Sequence, residues 1–354
     1  MNLLDNPLTV VVGAGGVGKT TLAASLAAEH ARTGSRTLVM TFDPSHRLKD
    51  TLGIRHADGI DEVEVPSRGS GRLVASLLDA RRTFDQLIHR YAPDDRSKQR
   101  ILSNRFYNHL SGGLAGVLEY MASERLYEVA SSGRFDRIVL DTPPTRQALD
   151  FLEAPDRIVG FLDTRGPKIA TKNWFDADGR LRATSKLGVV GRNVEAFFDR
   201  MVGLELLRDM SEFFQAFAPF FAGFKERAVQ VRRLLRSKET SFLLVSAPGP
   251  HRVADTLFFA RRLTEAGHTL GPVVVNRVHP IDEVVPPPAG PPTVDGAELI
   301  RFLAQRDAEG LRHLRDLVGD RHPVIEMPLR PDEPTDLESL TELGAELVGK
   351  ARNV

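Results

Sequence analysis

Gly13, Gly18, Lys19 and Thr20 stand at the spacing G-x-x-x-x-G-K-[ST], inside the stretch VVVGAGGVGKTTLAAS that runs from Val10 to Ser25. Such an order suits one task, the cradling of phosphate. Glycines let successive backbone N–H groups close around the anion, and the N-terminus of the following helix turns its partial positive charge toward it. The cradle comprises Gly13, Ala14, Gly15, Gly16, Val17, Gly18, Lys19, Thr20 and Thr21. Within it, Lys19 is placed to reach β- and γ-phosphates, and the Thr20 hydroxyl to ligate Mg²⁺. The apolar run before the loop and the Ala/Leu-rich TTLAASLAAEHA after it give the strand–loop–helix context that the motif requires.

Two carboxylates complete a chemical set. TFDPSHRLKD (41–50) puts Asp43 where an apolar run ends and Pro44 breaks it, and LDTPPTRQALDFL (140–152) does the same for Asp141. In an open parallel sheet, ligands bind outside the carboxyl ends of the strands, so both can face the phosphate loop. Phosphoryl transfer to water needs a carboxylate in the magnesium shell and a group that orients or deprotonates the attacking water. Asp141 suits the first role and Asp43 the second. Asp43 and Lys19 are the candidate catalytic pair, and Thr20, Asp43 and Asp141 the candidate magnesium group. Alone, each Asp-Pro or Asp-Thr-Pro reads equally well as a turn or cap.

The elements that must hold these residues follow from the pattern. Short β-branched runs lie at 8–12, 36–42, 135–140, 241–247, 272–278 and 323–328, separated by helical periodicity. Unbroken apolar strands alternating with helices indicate a mainly parallel, doubly wound α/β sheet covered on both faces. The long intervals after the second and third runs read mainly as helix. The expectation is a phosphate-loop domain from 1–80, 131–151 and 237–354, with an inserted helical subdomain from 81–130 and 152–236. HPIDEVVPPPAGPPT (279–293) reads as an exposed loop.

Composition excludes several classes. The 354 residues carry 47 Lys+Arg against 47 Asp+Glu, so the chain as a whole offers no electrostatic case for nucleic acid. With no cysteine there is no disulfide, thiolate zinc site or iron–sulfur cluster. The ten histidines are scattered, His46 alone falling in a switch-like segment. The N-terminus lacks a signal-peptide pattern, and no apolar run approaches the roughly 20 residues of a membrane span, so a soluble cytoplasmic protein is expected.

The motifs GAGGVGKTT, TFDPSHRLKD and LDTPPTRQALDFL resemble those of the ArsA family of P-loop ATPases, which includes catalytic subunits of arsenite pumps and factors that target tail-anchored membrane proteins. The resemblance implies Mg·ATP hydrolysis, with Asp43 at the position of the family's proposed water activator. It places adenine contact on Asn276 in VVVNRV, and on Pro328, Leu329 and the segment through Glu333 in MPLRPDEPT. It also implies a nucleotide-clamped dimer in which a helical subdomain opens and closes a hydrophobic groove for a client segment or membrane partner.

Three departures qualify these implications. The missing cysteines rule out thiolate-bound arsenite activation and a C-x-x-C zinc staple across the dimer, so no zinc is expected. The chain has six Met, whereas eight of its nineteen Phe fall within 197–224. Phe213, Phe214, Phe217, Phe220, Phe221 and Phe224 share one helical face, with Pro219 as a kink, and such a stripe is either core or a stiff client groove. Finally, Ala14 stands where deviant-loop relatives carry a lysine that crosses the dimer. Either a lysine-bearing paralogue completes a heterodimer, or Arg47, Lys49 or Arg146 supplies the cation, or the protein is a slow nucleotide-dependent switch.

Overall fold

A computed structural model describes residues 3–43, 47–54, 62–67, 69–111, 116–163, 204–280, 296–318 and 322–353. Pro44, His46, Phe197, Phe198 and most of the proline-rich 279–293 segment lie outside them. The chain folds into two compact units. One comprises Met1–Leu78, Val129–Leu149 and Arg233–Val354, the other Asp79–Glu128 and Asp150–Arg232.

The first unit is built on an eight-stranded sheet among the described residues. Its strands are β1 (Leu8–Gly13), β2 (Arg36–Thr41), β3 (Glu62–Val65), β4 (Arg72–Leu77), β5 (Arg137–Asp141), β6 (Thr240–Ser246), β7 (Leu270–Val278) and β8 (Val324–Pro328). They lie in the order β3-β4-β2-β5-β1-β6-β7-β8. Every neighbouring pair is parallel except β3–β4. β1 has all six residues buried, as expected of a strand covered on both faces. The register then fixes chemistry: Asp141 at the end of β5 lies opposite Val11 of β1 on one side and Thr41 of β2 on the other.

Six of the eight strands fall on the apolar runs. β3 and β4 fall instead in an interval whose sequence reads mainly as helix. The reason is local: β3 is Glu-Val-Glu-Val, two periods of alternation in a half-exposed edge strand, and β4 mixes Arg, Ala and Ser among its apolar residues. Both edges of the sheet are blunt. Glu62 of β3 takes a two-pronged ion pair from Arg134 at 2.7 and 2.8 Å, Glu64 pairs with Arg72 at 2.7 Å, and β8 is five residues long and ends in Pro328.

The phosphate-loop helix, Lys19–Arg32, is buried along most of its length and packs against the C-terminal helix Leu337–Arg352. Small residues make the approach close: Ala23, Ala24, Ala27, Ala28 and Ala31 are all buried, and a methyl at Gly344 would run into the Ser25 backbone.

In the second unit, the phenylalanine stripe is divided between two helices, Leu204–Phe217 and Phe221–Leu235, because Pro219 sits in a 3₁₀ turn over Ala218–Phe220 that interrupts the α-helical ladder. Phe213, Phe217, Phe220 and Phe224 are buried, while Phe214 and Phe221 are half-buried. Rings stack in series, Phe213–Phe217 at 5.1 Å and Phe217–Phe220 at 4.9 Å, with Phe84 edge-on to Phe217 at 5.7 Å. The stripe therefore makes core, and it also lines an apolar cavity of about 210 Å³ within the same unit, together with Val117, Ile158 and Leu162. Beneath it, Glu124 is sunk between the Tyr120 hydroxyl and the Arg227 guanidinium, which itself lies 4.4 Å over the Tyr91 ring.

Gly344→Ala tests the helix contact. Alanine is the better helix former by about 1 kcal/mol, but overpacking costs about 1–3 kcal/mol, and here the obstacle is backbone that cannot rotate away. A net destabilisation of about 1–2 kcal/mol is expected in urea unfolding; a stabilised variant would show that the two helices separate easily.

Candidate functional site

The loop between β1 and the helix Lys19–Arg32 is shaped by glycines that have no substitute. Gly13 has φ 150° and faces the Val245 carbonyl of β6 so closely that a Cβ there would collide with it. Gly18, at φ 92°, caps the helix against the Asn276 side chain. Lys19 is buried and donates to the Ala14 carbonyl at 2.8 Å, from inside the loop that Gly13 and Gly18 close. Burial lowers its pKa, against the pull of Asp141 and then Asp43, with Arg47 adding a smaller lowering. All three charged groups thus act on the same ammonium.

Asp141 is the most constrained of the candidate residues. Its Oδ2 accepts from the Thr20 hydroxyl at 2.8 Å and the Thr41 hydroxyl at 3.1 Å, and the residue is 1% exposed. Burial pushes its pKa up to about 6, opposed chiefly by the Thr20 hydrogen bond and then by Lys19. Its second oxygen, Oδ1, is buried without a hydrogen-bond partner. Next to it, Thr142 ties β5 to β1 by donating to the Val11 carbonyl at 2.8 Å.

Thr41 also accepts the backbone N–H of Asp43 at 3.2 Å, so a single hydroxyl bridges the two acidic turns. Nothing about a threonine ending a strand announces this role; only the register that sets Thr41 beside Asp141 reveals it. Asp43 itself is half-buried.

An orphaned buried carboxylate oxygen beside a threonine hydroxyl fits a hard cation that takes oxygen ligands. Among the described residues no group of three or more His, Asp or Glu could hold a metal, and Mg²⁺ requires none, since it takes one or two protein oxygens plus phosphate and water.

The residues carried over for adenine contact also converge. Asn276, Pro328, Leu329 and Glu333 line one cavity of about 360 Å³ together with Thr21 of the phosphate-loop helix. Asn276 donates through Nδ2 to the Val17 carbonyl at 3.0 Å, which fastens the end of β7 to the phosphate loop and leaves Oδ1 for a ligand. Ala14 is partly buried and packs its methyl on the core beneath the loop. Of the alternative cations, Arg47 and Arg146 are exposed and Lys49 is half-buried.

A family model for anion-transporting ATPases matches residues 8–175, from the first residue of β1 through both acidic turns. By that match the chain is similar to the ArsA-type family of ATPases. Relatives agree. It is 25% identical to the ATPase ASNA1 homolog 2 of Paramecium tetraurelia across 100% of this chain and 97% of that protein. It is also 25% identical to the ATPase GET3 of Malassezia globosa across 93% and 88%. A putative arsenical pump-driving ATPase of Chlorobaculum tepidum is 29% identical over 41% of this chain and 35% of its own. The chain is accordingly an ATP-hydrolysing enzyme of α/β P-loop architecture, and the similarity implies nucleotide, typically with Mg²⁺. Among its described residues no helix is long and apolar enough to cross a membrane.

The raised pKa of Asp141 has a measurable consequence in the nucleotide-free protein. A carboxyl whose folded pKa lies above its unfolded value contributes stability below the unfolded value, and that contribution is lost as pH rises through about 6. Asp141→Asn should therefore raise the melting temperature relative to the parent near pH 7.5, with the gain disappearing near pH 4; thermal melts without nucleotide across that range check it.

Proposed function

We propose that this protein uses its phosphate loop, Lys19 and the Asp141–Thr20 pair to hold Mg·ATP as an ATPase of the ArsA type, and that Asp43 orients or deprotonates the water that attacks the γ-phosphate. The observation that carries this reading is the convergence on Asp141: one oxygen fixed by Thr20 and Thr41, the other buried and unpartnered, beside the Lys19 ammonium. Backbone amides from Gly13 to Thr21 bind the phosphates, Lys19 follows charge as it develops on the transferring group, and Thr41 keeps the two acidic turns in register. Asn276, Pro328, Leu329 and Glu333 receive the adenine in their shared cavity. The domain division inferred from the sequence assigns this chemistry to the phosphate-loop domain and the work done with it to the helical subdomain.

The work is the handling of a hydrophobic protein segment or a membrane partner, by nucleotide-driven opening and closing of a dimer. The apolar cavity among Phe213, Phe214, Phe217, Phe221 and Phe224 supports a client of that chemistry. The resemblance of the three motifs to a family that includes factors targeting tail-anchored membrane proteins supports the same reading. Rigid phenylalanine walls accommodate fewer client shapes than methionine does.

Ala14 favours a second reading alongside this one. Its methyl is packed on the core where a cross-dimer lysine would otherwise stand, so a slow switch subunit, completed by a lysine-bearing paralogue, also fits. The two separate on the purified chain. Phosphate release by the chain alone, lost at least a hundredfold in Asp43→Asn with ATP still bound, supports the enzyme acting by itself. Release no greater than in Asp43→Asn would sink it. Ala14→Lys should then raise turnover or dimerisation if the missing amine limits the rate; no change in either would show that the position is not limiting.

A further inference from the structure

Among the described residues Arg277 alone of the non-glycines has a left-handed backbone, φ 62°. It sits at the carboxyl end of β7, where the pairing with β8 slips between Val275 and Val278. L side chains rarely adopt this conformation, and when one persists outside a glycine the surrounding structure is holding it for a reason. What the conformation accomplishes here is visible. It sends the guanidinium to Glu333, Nη2 to Oε1 at 2.7 Å, and both residues line the 360 Å³ cavity.

The two walls joined by this pair are anchored differently. The loop after β8 is pinned at its start, where the Leu329 N–H donates to the Val278 carbonyl at 2.8 Å and Arg330 donates to Glu346 at 2.8 Å. Glu333, further along, has its side chain 78% exposed and holds to β7 through Arg277. Behind Arg277, the neighbouring Asn276 is fastened to the phosphate loop.

We propose that Arg277 and Glu333 form a latch over the base cavity that governs nucleotide release. The inference rests on the reading that this cavity receives the base. An exposed ion pair is weak and screened by salt, so the latch opens readily when water fills the cavity. With a purine beneath it, the planar guanidinium gains a π face to lie on, and the pair is partly desolvated, which strengthens both contacts. The occupant that closes it is therefore the base of a nucleoside di- or triphosphate, and triphosphate alone leaves it open.

Release of ADP carrying a fluorescent ribose label, measured by stopped-flow chase, tests the latch. Arg277→Gly, which suits φ 62° and so keeps the fold, and Glu333→Gln should each speed release about three- to tenfold. The double variant should be no faster than either single one, because they break the same contact. Raising salt should speed release from the parent and not from the variants. Binding of inorganic tripolyphosphate should be the same in all four proteins. Leu329→Trp, which fills the cavity, serves as the control for the underlying reading. If it weakens ADP binding while Arg277→Gly releases ADP at the parent rate, the latch is overturned and the base site stands. If Leu329→Trp binds ADP like the parent, the base lies elsewhere and the latch falls with the site.

Discussion

Two hydroxyls meet on one buried carboxylate oxygen, and most of the site depends on that meeting. Thr20 brings the start of the phosphate-loop helix, Thr41 the end of β2, and Asp141 the end of β5, so three elements distant in sequence are fixed within two hydrogen bonds. Parallel pairing makes this possible, since every strand from β4 to β8 across the sheet runs the same way and delivers its carboxyl end to one edge. A one-residue slip of β2 against β5 would turn Thr41 to the other face of the sheet and release both Asp141 and the Asp43 turn.

How far the sequence discloses this differs by residue. Glycine and lysine at fixed spacing betray the phosphate loop because so few residue types can make it, and the apolar runs betray six strands because burial on both faces leaves little freedom. β3 escapes because an edge strand half in water can carry glutamate at every second position, and β4 because alanine and serine pack as well as valine beside its neighbours. Thr41 and Arg277 escape for another reason. A threonine at a strand end has many uses, and the left-handed turn of a non-glycine residue is imposed by tertiary context that no local pattern encodes. The phenylalanine stripe is legible as a stripe and Pro219 as its kink, but that most of its rings make core depends on their finding one another and Phe84.

Polar and apolar regions solve opposite problems. Around the phosphate loop, polar groups are buried at a cost and held ready for a charged ligand, which is why a carboxyl there has a raised pKa and a spare oxygen. In the helical unit the Phe rings pack on one another, and a deep ion pair, Glu124 with Arg227, is enclosed by Tyr91, Tyr120 and Phe224. Such a pair contributes little net stability, yet misplacing either helix would strand a charge, so it selects one packing over others.

The blunt edges of the sheet bear on how copies of this chain can meet. An open strand edge invites another backbone to add to it, whether in a dimer or in a fibre. β3, with four residues and its glutamates tied to arginines, and β8, short and closed by proline, give an incoming strand almost no ladder to continue. Growth by backbone addition is discouraged at both ends of the sheet. Association must instead be written in side chains, where single substitutions can tune it and where nucleotide, bound at the carboxyl edge, has a chance to influence it.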